Sequence, residues 1–163
     1  MTTIKEHAEV HCPYVRALHY VDVYLAHLGW SEHSQSVPMR LRVPVGPSSE
    51  HQGLAIDKGV VATLSRSPQH RALEDRIGVT WQPDVEGEPF PRFDGALSLE
   101  AASPKASILT LEGRYEPPLG MAGKIFDAAF GHRVAEATAR ELLKEIADRI
   151  ELGYVQDEPH LSR

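Results

Sequence analysis

The sequence of 163 residues holds one cysteine, Cys12, so no internal disulfide can form and a zinc site built on several thiolates is excluded. A reducing compartment, the cytoplasm, is the expectation. No apolar run approaches the roughly 18 residues of a membrane-spanning helix, and Lys5, Glu6 and Glu9 interrupt the opening stretch where a secretion signal needs continuous apolar residues. Cations are also short: 17 Lys and Arg face 23 Asp and Glu, a net charge of -6. The field of such a molecule repels phosphate backbones and anionic lipid surfaces, which argues against nucleic-acid and membrane partners. Glycine-rich phosphate loops, Gly-x-Ser-x-Gly elbows, His-Glu-x-x-His and paired loop carboxylates are missing too. Phosphoryl transfer, acyl transfer and metal chemistry therefore have no support, and neither a cofactor nor a metal is expected.

What is present is an ordinary globular composition, 42% hydrophobic and 25% charged. A chain of this length hides roughly 70% of its unfolded surface in one core, so one domain is expected. Residues 4–12 alternate, with Ile4, Glu6, Ala8, Val10 and Cys12 on one side and Lys5, His7, Glu9 and His11 on the other. That is the period of a half-buried strand. Pro13 suits the first turn of a helix, and Val15, Leu18, Val21, Leu25 and Leu28 follow at helical spacing before Gly29.

From Val37 to Glu116 short alternating runs separated by Gly, Pro and Ser predict an antiparallel sheet. The runs centre on Met39–Val45, Leu54–Leu64, Ile77–Trp81, Phe93–Leu99 and Leu109–Tyr115, with loops over 46–53 and 83–91. Beyond Gly120 the period turns helical to about Leu152, roughly 30 residues or about 45 Å. Phe126, Phe130, Val134, Thr138, Leu142, Ile146 and Ile150 recur every fourth residue, while Glu136–Arg140, Lys144–Asp148 and Glu145–Arg149 place opposite charges four apart on the wet face. Gly131 marks a kink, a close contact or vacated space inside this helix.

A strand, a helical segment, an antiparallel run and one long final helix form an α+β arrangement in which a curved sheet wraps around a helix. The stretch Leu109-Thr-Leu-Glu-Gly-Arg-Tyr-Glu-Pro-Pro-Leu-Gly120, with Met121–Asp127 and Arg133–Thr138 after it, resembles the last strand and long helix of START-like proteins. Val10-His-Cys-Pro13 is similar to their strand-then-proline entry. The resemblance runs from about Ile4 to Glu151 and carries the polyketide-cyclase, lipid-transfer and pollen-allergen superfamily with it. It implies a helix-grip fold, one START-like domain over residues 1–163 with its core at about 4–152 and a frayed tail from 153. It further implies a hydrophobic ligand held between sheet and helix, and leaves the activity open.

On that reading the sheet wall is Trp81, Phe93, Leu97, Leu99, Leu111 and Tyr115, and the helix wall is Phe126, Phe130, Val134 and Thr138. Gly95, Gly113 and Gly131 remove side-chain volume, and Trp81, Tyr115 and Thr138 supply the polar contacts that orient a ligand. Three functions remain open: a carrier of a hydrophobic or aromatic small molecule, a cyclase or dehydratase using the same cavity, and an interaction module with a filled core. A homodimer is compatible with each. The enzyme reading needs a proton-moving group, for which His19, Asp22 and Tyr115 are the candidates. A salt-bridged helix face explains His19 and Asp22 as well. His7 and His11 read as solvated surface histidines, and Cys12, in line with Val10 and Ala8, reads as a buried structural thiol rather than a nucleophile.

Overall fold

The first strand, β1 (Thr2–Val10), ends in a tight reversal in which the Cys12 N–H donates to the Val10 carbonyl at 2.8 Å. The Pro13 carbonyl then accepts the first helical hydrogen bond from Ala17 at 2.8 Å, so proline opens the helix without a wasted donor. That helix is α1 (Tyr14–His27). Five strands follow: β2 (Ser34–Pro44), β3 (Ala55–Ser65), β4 (Ile77–Pro83), β5 (Arg92–Ser103) and β6 (Ala106–Glu116). The chain finishes in α2 (Ala128–Asp157). The computed structural model describes residues 2–27, 34–44, 55–65, 76–85, 91–116 and 128–157.

The six strands form one antiparallel sheet in the order β1-β6-β5-β4-β3-β2, so the first strand closes against the last and hairpin neighbours make up the rest. One face is apolar and buried along β3 to β6: Val60, Ala62 and Leu64; Ile77, Val79 and Trp81; Phe93, Leu97 and Leu99; Leu109, Leu111 and Tyr115. α2 joins this core with Val134, Ala135, Ala139, Leu142, Leu143, Ile146 and Ile150, lying mainly along β1 with β6 beside it. Each fully buried Leu or Ile there contributes about 1.5–3 kcal/mol of transfer free energy. The wet side of α2 carries the three expected ion pairs, Glu136–Arg140 at 3.3 Å, Lys144–Asp148 at 2.9 Å and Glu145–Arg149 at 3.2 Å. The result is the α+β helix-grip arrangement.

Two boundaries differ from the sequence expectations. β1 stops at Val10, and Cys12 leaves the strand to lie buried under the turn, where the Ser107 hydroxyl donates to its carbonyl at 2.7 Å. α2 does not end at Gly153 but continues to Asp157, with Tyr154 buried. The reason is packing. A Cβ on Gly153 would stand 2.7 Å from the Tyr20 ring of α1, so glycine lets the two helices approach, and Tyr20 then meets Tyr154 edge-on at 6.4 Å. Close approach, not chain termination, selects this glycine. The expected loops at 46–53 and most of 83–91, the start of the long helix before residue 128, and Leu28 with Gly29 lie outside the described residues.

Candidate ligand-binding site

Strand register builds the site. Trp81 on β4 pairs with Phe93 on β5, and Phe93 pairs with Tyr115 on β6, so three aromatic rings stand side by side on the covered face. With strands about 4.8 Å apart, the row is about 10 Å wide. Trp81 and Phe93 stack, with ring centroids 4.0 Å apart and planes 10° from parallel. The Trp81 indole N–H donates to the Pro91 carbonyl at 3.2 Å in the interior. Tyr115 is fully buried and faces the first described turns of α2, where a Cβ on Gly131 would lie 3.8 Å from its Cε2.

The three glycines expected to vacate volume behave differently. Gly95 and Gly113 pair across β5 and β6, and the Phe93 ring lies over both: a Cβ on either would stand 2.6 Å from its Cζ. Their space is taken by the ring and by adjacent backbone. Gly131 alone among the three leaves room, since Tyr115 at ordinary contact distance is its nearest neighbour among the described residues.

Two of the polar contacts expected for a ligand are engaged inside the protein. Besides the Trp81 N–H, the Thr138 hydroxyl donates back to the Val134 carbonyl at 2.7 Å, the usual way a threonine settles within a helix. Val134 is buried on the same face of α2. Leu97 and Leu111 pair with each other and Leu99 pairs with Leu109, so these residues lie in the same core but up to about 20 Å further along the strands toward the β5–β6 turn. Phe126 lies outside the described residues, and Phe130 lies in α2 with its side chain outside them.

The proton-moving candidates are not brought together. Tyr115 pairs with Thr2 at one end of the β1–β6 ladder, while α1 leaves from the other end, where Val10 pairs with Ser107, about 26 Å away. α1 flanks the last turns of α2 through Tyr20 and Tyr154, and His19 and Asp22 are on its exposed side. Their helical periodicity could not reveal which end of the sheet the helix flanks. His7 is exposed, and exposed His11 sits 3.0 Å from Glu151 of α2. Tyr24 of α1 has its hydroxyl buried with no hydrogen-bond partner among the described residues. Burial, and then the nearby Glu145 carboxylate, push its phenol above the ordinary value, with Arg149 partly opposing them.

One residue that sequence reasoning missed stands beside the aromatic row. His132, next to Gly131, has its ring 5.8 Å from that of Tyr115. Its Nε2 lies 3.0 Å from Glu136, whose other oxygen takes Arg140 at 3.3 Å; Arg140 also reaches Glu6 of β1 at 3.3 Å. The His132 Nδ1 is buried and without a hydrogen-bond partner among the described residues. The i, i+4 spacing from His132 to Glu136 was visible, but it is a common helix-surface pairing and carries no sign of what the second ring nitrogen faces.

No family model matches the sequence, and neither does any curated protein. Solved structures do match in fold. An aromatase/cyclase from Streptomyces sp. R1128 aligns with a TM-score of 0.57 at 12% identity, covering 92% of this chain and 93% of its own. A Thermus thermophilus protein gives 0.56 at 11% identity over 93% and 99%, and a conserved protein from Geobacillus kaustophilus gives 0.53 at 13% over 95% and 96%. The chain has the START-like fold.

Proposed function

We propose that this protein binds a hydrophobic or aromatic small molecule between the sheet and the first half of α2. The observation that carries the reading is the Trp81–Phe93–Tyr115 row, three rings in register on the buried face, with Gly131 of α2 beside Tyr115. Flat aromatic walls with few free polar groups suit apolar ligands. The fold shared with an aromatase/cyclase supports the same reading. A net charge of -6 favours a small molecule over nucleic acid as the partner. The cytoplasmic setting suggested by the single cysteine stays part of the proposal.

A cyclase or dehydratase acting in the same space is the second reading. It requires a titratable group turned inward, and His132 rather than His19 or Asp22 offers one. Native mass spectrometry of the purified protein, then denaturing extraction of the same sample, tests the shared premise. A co-purifying lipid, sterol or aromatic supports it. An empty protein that also refuses a panel of hydrophobic candidates overturns it and favours the interaction module. Phe130→Trp should abolish binding while leaving the protein folded; unchanged affinity would place the ligand elsewhere.

A further inference from the structure

A buried ring nitrogen without a partner is uncommon, because native proteins pair nearly all such atoms. Among the described residues the Nδ1 of His132, whose ring lies 5.8 Å from that of Tyr115, has none, and its surroundings decide which hydrogen-bonding role that atom has. The Arg140 guanidinium, which carries only donors, contacts both Glu136 and Glu6 at 3.3 Å, so each carboxylate accepts from it. A carboxylate that accepts from Arg140 turns lone pairs toward its other neighbours, so the His132 Nε2, 3.0 Å from Glu136, is the nitrogen that bears the proton. In the neutral ring the buried Nδ1 is then a bare lone pair. The side chain is 38% exposed while Nδ1 is covered, so the water-facing part of the ring lies on its other atoms.

We propose that His132 determines ligand specificity in this site: its Nδ1 accepts a hydrogen bond from a hydroxyl or phenol on an otherwise apolar ligand. The proposal rests on the binding site described above. Glu136 and Arg140 are positioning residues that hold the ring in one tautomer. The site then discriminates by an unmade bond. An ether or hydrocarbon of the same shape leaves Nδ1 buried and unpaired, whereas the hydroxylated ligand satisfies it. Selection is for a donor, so a ligand whose only polar group is a carbonyl gains nothing from this nitrogen.

The test uses 2-naphthol, 2-methoxynaphthalene and naphthalene as probes, titrated into wild type and His132→Phe by calorimetry at one fixed pH. Wild type should take 2-naphthol about 10-fold more tightly than either other probe, the effect of one well-made hydrogen bond. His132→Phe should bind all three within about 2-fold of one another. If wild type binds the three alike, the inference falls while the binding site stands. If it binds none of them, the site falls and the inference with it. A second measurement is independent of ligand and of the variant's folding: nitrogen-15 chemical shifts of the wild-type imidazole. A proton on Nε2 is expected, with a mixed population in Glu136→Ala; a proton resident on Nδ1 overturns the proposal.

Discussion

Replacing Gly113 by alanine is a sharp test of how the aromatic row is packed. The added Cβ would stand 2.5 Å from the Asp94 carbonyl oxygen, 2.5 Å from the Gly95 Cα and 2.6 Å from the Phe93 Cζ. Two of these neighbours are backbone of the adjoining strand, and the third belongs to a ring held flat against Trp81. None can withdraw without breaking a strand pairing or the stack. Overpacking of this kind costs about 1–3 kcal/mol, and the upper end applies where no flexible side chain can yield. The smaller entropy of the alanine chain when unfolded returns about 0.4–1 kcal/mol, leaving a net loss of about 2 kcal/mol. At this chain length that is a fall in Tm of about 4–8 °C. Thermal melts followed by circular dichroism, with urea midpoints as a second readout, measure it. Phe93→Leu removes the offending ring atom, so the penalty of Gly113→Ala should shrink by about 1 kcal/mol in that background. A Gly113→Ala Tm within about 1–2 °C of wild type, or no coupling to Phe93, refutes the packing described.

The other predictions use the same instruments. Among the described residues Gly131→Ala meets only an ordinary contact with Tyr115, so it should raise stability by up to about 1 kcal/mol through helix propensity while weakening ligand binding; a lowered Tm would count against open space there. Tyr24→Phe removes a buried hydroxyl that has no hydrogen-bond partner among the described residues, and should stabilise by about 1 kcal/mol. Because folding raises the Tyr24 phenol above its usual value of 10.0, its contribution is full below that value and is lost as pH climbs through the folded one. Stability of wild type should therefore fall above about pH 10 more steeply than that of Tyr24→Phe; parallel curves would contradict this. Ser107→Ala removes the 2.7 Å bond to the Cys12 carbonyl and should cost about 1–2 kcal/mol by urea titration. Cys12, fully buried, should react with an aromatic disulfide reagent only on unfolding; prompt labelling of native protein would show that the turn opens.

Much of the fold was legible because period carries it. Alternation at Ile77, Val79 and Trp81, or at Leu109, Leu111 and Tyr115, is the direct imprint of a sheet with one covered face, and those residues are buried as expected. The every-fourth-residue stripe of α2 and its three ion pairs follow from the same geometry. Glycine was less readable. A glycine inside a periodic run reports that a Cβ is unwelcome without reporting what stands in its place. At Gly153 it is the Tyr20 ring, in a helix that was expected to reach about Leu152 and runs on to Asp157. At Gly95 and Gly113 it is the Phe93 ring, which fills a space expected to be vacant.

Polar side chains were the least legible, because their function depends on which hydrogen bonds remain unmade. Trp81 and Thr138 looked like the groups that would orient a ligand, yet one donates to the Pro91 carbonyl and the other to Val134. The Trp81 partner, ten positions on, lies at no telling spacing, whereas the Thr138 bond to the carbonyl four residues back is the ordinary habit of a helical threonine. His132 shows the converse. Its contact with Glu136 resembles a surface ion pair, but Arg140 ties that carboxylate to Glu6, 134 positions before the arginine, through the β1 edge of the sheet. The protonated nitrogen is thereby assigned by a long-range contact, and the other nitrogen is left buried with no partner among the described residues, in a ring 5.8 Å from that of Tyr115. Specificity in a mostly apolar site rests on such atoms, since apolar contacts discriminate poorly between ligands of one shape. The ladder that brings β1 beside β6, and so Glu6 within reach of α2, is what makes this residue a candidate.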